Sequence, residues 1–231
     1  MSDPTSYPSD ASAATYLLTV RGRTTAASVD EARKIHNDTA GAPPSVAAAR
    51  SLGDLSHNVF TGYGDGNRDE LLFLDFWNSL SGLGQFFGDP QVQAAAGLLF
   101  ATRDNPVWAP APSFGSFHLA MPSGSAATGL GIIRAKVTSF GDAADAFRAY
   151  ADATINVSRR HGIVSHNLYV KVDAPGAPAE PEVIGVDVWL DADAMAAYYE
   201  MSLGFEHLGP AFAGAPDSTV WHAAPGGWTE W

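Results

Sequence analysis

The chain has 231 residues, 46% hydrophobic and 16% charged, with a formal net charge of −12 and no cysteine. That is the composition of a globular protein with ample core material, and it excludes a wholly disordered chain. The acidic balance disfavours nucleic acid and anionic membrane surfaces as partners, and the lack of cysteine excludes disulfides, thiolate catalysis, Fe–S clusters and cysteine zinc sites.

Residues 1–15 are rich in Ser, Ala, Asp and Pro, without a basic segment leading into an apolar one. They read as a disordered tail rather than a signal peptide. No apolar run approaches the roughly 20 residues of a membrane-spanning helix, so the expected location is the cytoplasm. Tyr16–Thr24 reads as a first strand. Ser28-Val29-Asp30-Glu31 is a capping box, with Ser28 capping the Glu31 amide and Glu31 reaching back. It opens a helix through Ile35, which Pro43-Pro44 separates from a short helix over Ser45–Arg50. His57–Tyr63 and Leu71–Trp77 are the next strands, joined by the polar loop Gly64–Asp69 as an antiparallel hairpin. A short helix near Ser81–Phe87 precedes a stronger helix start, the N-cap and proline of Asp89-Pro90. Val107–Ala109 is a last strand, and the Ser-, Gly-, Ala- and Pro-rich stretch Pro112–Thr128 is a connector.

The same series then recurs. Strand Leu130–Thr138 leads into one long helix, about Asp142–Arg160. Strands His166–Val172 and Val183–Leu190 flank the loop Asp173–Pro181. Helices over Asp191–Tyr199 and near Phe205–Phe212 come before the strand Thr219–Ala223. Four short matches keep their order. Ser56-His57-Asn58 recurs as Ser165-His166-Asn167, and Asp75-Phe76-Trp77 as Asp187-Val188-Trp189. Phe86-Phe87 recurs as Tyr198-Tyr199, and Val107-Trp108 as Val220-Trp221. The spacing between copies drifts only from 109 to 113 residues, the mark of an internal duplication.

The fold class is therefore α+β, with two ferredoxin-like β-α-β-β-α-β repeats. The organisation read from the chain is a tail over 1–15, repeat 1 over 16–112, a connector over 113–128, and repeat 2 with a C-terminal tail over 129–231. Leu71–Trp77 and Ile184–Trp189 are apolar on both alternating sets, whereas a strand with one wet face alternates. Each sheet's second face must then be covered by the sibling repeat, so the two antiparallel sheets pack into one intrachain barrel.

Element order and a Trp that ends the third strand just before a helix, in Phe76-Trp77-Asn78-Ser79 and Val188-Trp189-Leu190-Asp191, resemble the dimeric α/β-barrel superfamily and, within it, the antibiotic-biosynthesis monooxygenases. The resemblance spans about residues 16–224 and implies that a barrel usually built by two chains is fused into one. It also implies a pocket between sheet and helices, walled by Trp77 or Trp189, and oxidation of an aromatic or polyketide-type small molecule without a tightly bound cofactor. A reduced flavin supplied by a partner stays open. The haem-degrading branch carries a His about ten residues after the Trp. Here those positions are Phe87 and Tyr199, so haem is not expected. A non-catalytic small-molecule-binding or stress-response barrel and a polyketide cyclase share the fold and remain alternatives, as does further pairing of chains.

His57 and His166 are candidate acid–base groups, because imidazole titrates near neutrality; the plainer reading is that each starts a strand and bonds a loop. His36, without a histidine counterpart, is a third catalytic candidate or a surface residue. Asn58 and Asn167 are candidates to hold a substrate carbonyl or enolate oxygen, or are satisfied by backbone. Trp77, Trp189, Phe87 and Tyr199 are substrate-wall candidates, the two Trp equally core. Asp75 and Asp187, carboxylates inside apolar strands, call for partners, and the expected ones are Arg21 and Arg134. No His pair has helical zinc spacing, so no metal is expected. Gly129-Leu130-Gly131 precedes a strand rather than following one, and Gly115-Ser116 and Gly124-Ser125 lie in the connector, so no dinucleotide loop or nucleophile elbow is read.

Overall fold

A computed structural model describes residues 15–112, 114–119, 121, 126–173 and 180–231. The tail over 1–14 and parts of the connector and of the loop 173–181 lie outside the described residues. The first half runs β1 (Tyr16–Thr24), α1 (Val29–Asp38), α2 (Pro43–Ser51), β2 (Asp54–Gly62), β3 (Glu70–Trp77), α3 (Leu80–Gly88), α4 (Pro90–Leu99), β4 (Phe100–Asp104) and β5 (Val107–Pro110). A two-residue strand β6 (Phe117–His118) follows. The second half runs β7 (Gly129–Lys136), α5 (Phe140–Arg160), β8 (Ile163–Lys171), β9 (Glu182–Trp189), α6 (Ala192–Glu200), α7 (Phe205–Leu208) and β10 (Asp217–Ala223).

Strands pair in the order β2-β3-β1-β5 in one half and β8-β9-β7-β10 in the other. Pairings β5–β8 and β10–β2 join the two sheets into a closed, eight-stranded antiparallel barrel. Closure leaves no open edge on either sheet.

Alternation then sorts every strand residue. Leu17, Leu72, Leu74 and Trp108 from one half meet Leu130, Ile132, Ile184, Val186 and Trp221 from the other in a single interior cluster. Each half therefore shields the other's sheet face, as the doubly apolar third strands require. The residues between them on β3 and β9 turn outward to the helices, where Phe73 and Trp77 pack in one cluster, Val183 in a second and Trp189 in a third. From each half an arginine crosses to the other, and the two line one small space. Arg21 pairs with Glu70 and Asp217, and Arg134 with Glu182 and Asp104. The expected pairing of Asp75 and Asp187 with these arginines does not occur, because Arg21 shares the inward face of Leu17 and Thr19 while Asp75 faces outward opposite Leu18.

Local signals explain the helices, with some shifts. Ser28 Oγ accepts from the Glu31 amide, but the Glu31 carboxylate reaches back to the Ala27 amide rather than to Ser28. The first helix runs three residues beyond Ile35, which places His36 in its last turn. Pro43 and Pro44 open α2, where their missing amides cost nothing. The helix expected over Phe205–Phe212 is one α-turn followed by a 3₁₀ turn at Gly209–Ala211. Strands β4 and β6, not anticipated from the sequence, are short. Among the described residues no helix is long and apolar enough to cross a membrane.

Candidate active site

His57 lies directly across the β2–β3 hairpin from Asp75, and His166 directly across β8–β9 from Asp187. Both pairs face the helices and both are buried. His57 Nδ1 is 2.6 Å from Asp75 Oδ1, and His166 Nδ1 is 2.5 Å from Asp187 Oδ1. Each half thus holds a histidine–aspartate dyad in which the carboxylate fixes the ring. The surroundings of the two dyads differ.

In the first half the second ring nitrogen is occupied. His36 Nε2 stands 2.9 Å from His57 Nε2, and His36 Nδ1 is 3.0 Å from Asn37 Oδ1. His36 is fully buried, not at the surface. Burial, with the charge of His57, lowers its pKa to about 4 against the opposing Asn37 bond. It therefore serves His57 as a neutral partner. Burial also works to lower His57, but Asp75, with smaller help from Asp54 and Glu230, outweighs it and the net shift is upward. The C-terminal segment crosses from the second half to cover this dyad. Trp231 exchanges backbone hydrogen bonds with His57 and stacks on its ring at 4.7 Å.

In the second half the counterparts open a space. The helix caps Ser28 and Ser139 align His36 with Phe147. Strand register aligns Leu18 with Gly131 and Phe73 with Gly185, since Leu18 and Gly131 face the two aspartates and Phe73 and Gly185 sit two residues before them. The helix after the third strand aligns Phe87 with Tyr199. A cavity of about 230 Å³ results, walled by Gly131, Ile133, Phe147, Tyr150, Gly185, Tyr199 and Phe205, with His166 and Asp187 on its surface. His166 Nε2 is buried and, among the described residues, has no hydrogen-bond partner. The Phe147 carbonyl is close enough to favour a protonated ring but closes no bond with it. Phe114 and Phe117, from the segment after the first half, lie against the ring at 5.5 and 5.8 Å.

Tyr199 completes the cluster by donating its hydroxyl to Asp187 Oδ2 at 2.8 Å. Gly131 makes this reach feasible, since a Cβ there would lie 2.1 Å from the Tyr199 oxygen. Burial and the charge of Asp187 hold the Tyr199 phenol well above 10, so it stays a donor. Burial works to lower His166, and the charge and hydrogen bond of Asp187 overcome it, so its pKa is raised. Held by Nδ1–H donation to Asp187, a neutral His166 presents a lone pair at Nε2 with more than ordinary basicity.

The other candidates fall elsewhere. Asn58 and Asn167 follow the histidines in the strand and so face the barrel interior, with Phe60 and Tyr169. Asn167 Nδ2 bonds Ser165 Oγ and the Val186 carbonyl. The sheet thus separates the asparagines from the dyads. Trp77 and Trp189 are fully buried against Phe86–Phe87 and Tyr198–Tyr199. Phe87 lines a first-half cavity and Tyr199 the second-half one. Phe147, Tyr150 and Gly185 were not singled out in the sequence, and Gly131 was weighed only as part of a dinucleotide loop, although reading the two halves against each other exposes the glycines as replacements for Leu18 and Phe73. Among the described residues no group of three His, Asp or Glu is arranged to hold a metal ion.

Fold and site together describe a dimeric α/β barrel closed within one chain, with a dyad on the lining of a cavity in each half and, among the described residues, no partner for the second ring nitrogen of His166. Solved structures share this architecture. An anthrone oxidase-like protein is similar over 91% of each chain, with a TM-score of 0.63 and 14% identity. A protein of Lactobacillus acidophilus described as a putative monooxygenase is similar over 90% of this chain and 93% of its own, with a TM-score of 0.57 and 8% identity. A mutant chlorite dismutase of Candidatus Nitrospira defluvii is similar over 92% of each chain, with a TM-score of 0.52 and 11% identity. No protein-family model matches the chain, and no curated protein does. At these identities the likeness establishes the fold.

Proposed function

We propose that this chain is a monooxygenase that oxidises an electron-rich aromatic or polyketide-type molecule in the second-half cavity, with His166 as general base. The observation that carries the reading is the unpartnered His166 Nε2 on an apolar cavity wall. An unsatisfied buried nitrogen costs on the order of 1–3 kcal/mol, a cost that is understandable where a substrate proton completes the bond. The monooxygenase and anthrone oxidase-like neighbours support the reaction class.

The chemistry follows from the parts. Phe147, Tyr150 and Phe205 offer ring faces to an aromatic body. His166 Nε2 takes a proton from an activated ring methylene whose carbanion is delocalised as a phenolate or enolate. The carbanion gives its electrons to dioxygen and forms a carbon–peroxide bond. The proton on His166 passes to the peroxide to give a hydroperoxide, and His166 Nε2 then removes the remaining methylene hydrogen as a proton while the O–O bond breaks, giving the ketone and hydroxide. The proton held on His166 returns to the hydroxide. The sum is a methylene plus O₂ giving a carbonyl plus water. Dioxygen is the oxidant, and no other electron donor is needed.

The second-half cavity does not fit haem. An apolar cavity of about 150 Å³ accommodates benzene, so about 230 Å³ takes one or two rings, with the remainder of a larger substrate reaching out past half-exposed Phe205. A macrocycle exceeds it, and the Tyr199 hydroxyl is committed to Asp187. Anthrone, whose central methylene suits this chemistry, is the probe. His166→Ala should lower kcat by about 10²-fold or more, the usual share of a general base, while circular dichroism shows the fold retained. Oxygen uptake should match product one to one. Unchanged turnover in the variant, or undiminished turnover without oxygen, rules the reading out.

A further inference from the structure

The first half holds a separate cavity of about 490 Å³ between its sheet and its helices, and the reaction above does not use it. Phe73, Phe86, Phe87 and Phe100 give it aromatic walls. Two residues that line it each hold a buried polar atom without a hydrogen-bond partner among the described residues. One is Oδ1 of Asp54, a residue only 5% exposed, and the other is the indole Nε1 of Trp231. The indole stands near enough to ease Asp54 downward in pKa, yet no hydrogen bond closes between them.

We propose that this cavity is a second binding site, for an apolar aromatic molecule that carries a hydroxyl group, which it holds without turning it over. A hydroxyl is the group that answers both orphans at once, because it donates one bond and accepts two. Its oxygen accepts from the Trp231 N–H, and its hydrogen goes to the Asp54 carboxylate. Should Asp54 carry the proton, the second lone pair accepts from it instead. Burial first, then the charge of Asp75, lifts Asp54 to about 7, so both forms coexist near neutrality and a rotating hydroxyl suits either. The aromatic walls supply the apolar contact.

The absence of reaction follows from the neighbouring dyad. Both ring nitrogens of His57 are engaged, Nδ1 by Asp75 and Nε2 by His36. No free imidazole nitrogen faces the ligand, in contrast to His166, and the Asp54 carboxylate is taken up by the ligand's own hydroxyl. The assignment is independent of turnover at His166, since it rests on other residues and another cavity.

The test is equilibrium binding of 2-naphthol to the full chain at pH 7, by calorimetry or dialysis. The wild type should bind two equivalents. Gly185→Phe, which fills the His166 cavity, should bind one. Trp231→Phe keeps a ring stacked on His57 but removes the N–H, and Asp54→Ala removes the carboxylate. Each should weaken the equivalent that survives in Gly185→Phe by about tenfold, the scale of one hydrogen bond to a buried polar group. Loss of all binding in Gly185→Phe, or survival unchanged through both Trp231→Phe and Asp54→Ala, overturns the proposal. Failure of the His166 reading has a different signature, because it shows in the turnover of anthrone by His166→Ala or without oxygen and leaves this binding intact.

Discussion

Asp187→Asn is the sharpest probe of how the second-half dyad is built. The amide is isosteric with the carboxylate, so its oxygen can still accept from His166 Nδ1–H while its NH₂ group faces the Tyr199 oxygen, which can accept. Geometry is retained and only charge is lost. The upward shift of His166 comes from the Asp187 charge and hydrogen bond working against burial. With the charge gone, burial prevails and the pKa should fall below its ordinary 6.5. A hydrogen bond to a charged group is worth about 1.5–3 kcal/mol, enough for the fall to be resolved by titration. The readout is the pH titration of the His166 ring by NMR, which needs no substrate. Stability carries the same sign. In the wild type the raised pKa gives stability that is complete below pH 6.5 and lost as pH rises through the folded-state value. In the variant the dependence should invert, with stability lost as pH falls. A His166 pKa that stays put or rises in Asp187→Asn refutes the electrostatic account of the dyad.

Two further outcomes follow from the same geometry. Gly185→Phe installs the residue that the first half has at the matching position. A Cβ there already lies 2.5 Å from Phe147 Cε1 and 2.9 Å from Ile133 Cγ2, so turnover should vanish at a stability cost of about 1–3 kcal/mol, and preserved turnover would show that the cavity is not the site. Asp54, raised from 3.8 to about 7, should make the wild type lose stability as pH climbs from 5 to 8, by about 2–3 kcal/mol. Thermal melts of Asp54→Asn should lack that component.

The architecture was legible because the evidence for it is redundant. Third strands apolar on both faces demand a cover, and the interior faces of the two halves supply it to each other in one cluster. The dyads were half legible. His57, His166, Asp75 and Asp187 all stood out, but 18 residues separate one pair and 21 the other, because the two hairpin loops differ in length. Sequence distance therefore concealed that both pairs face each other in register. Pairing with Arg21 failed on parity. A one-residue step along a strand exchanges the helix-facing side for the barrel interior, and Arg21 and Asp75 fall on opposite sides. The same parity places Asn58 and Asn167 behind the sheet from their neighbouring histidines. The aromatic residues that close over each dyad, Phe117 and Trp231, lie in Pro- and Gly-rich stretches with no periodicity to announce them.

The two halves present the same dyad under opposite boundary conditions, and the difference comes down to few positions. Where one half has Leu18, Phe73, His36 and Phe87, the other has Gly131, Gly185, Phe147 and Tyr199. The first set satisfies His57 with a second imidazole and packs Phe73 against both rings at 5.0 and 5.3 Å. The second set removes two side chains from the sheet, replaces the imidazole partner with an apolar ring, and adds a hydroxyl behind the aspartate. Stability alone would favour the first arrangement, since a buried nitrogen left without a partner is a cost that ordinary packing avoids. Gly131 deepens the contrast, because it admits the Tyr199 oxygen that orients Asp187 and so holds His166 with its free nitrogen in place. A barrel that solves the problem in one half and leaves it open in the other locates its chemistry where local consistency is broken.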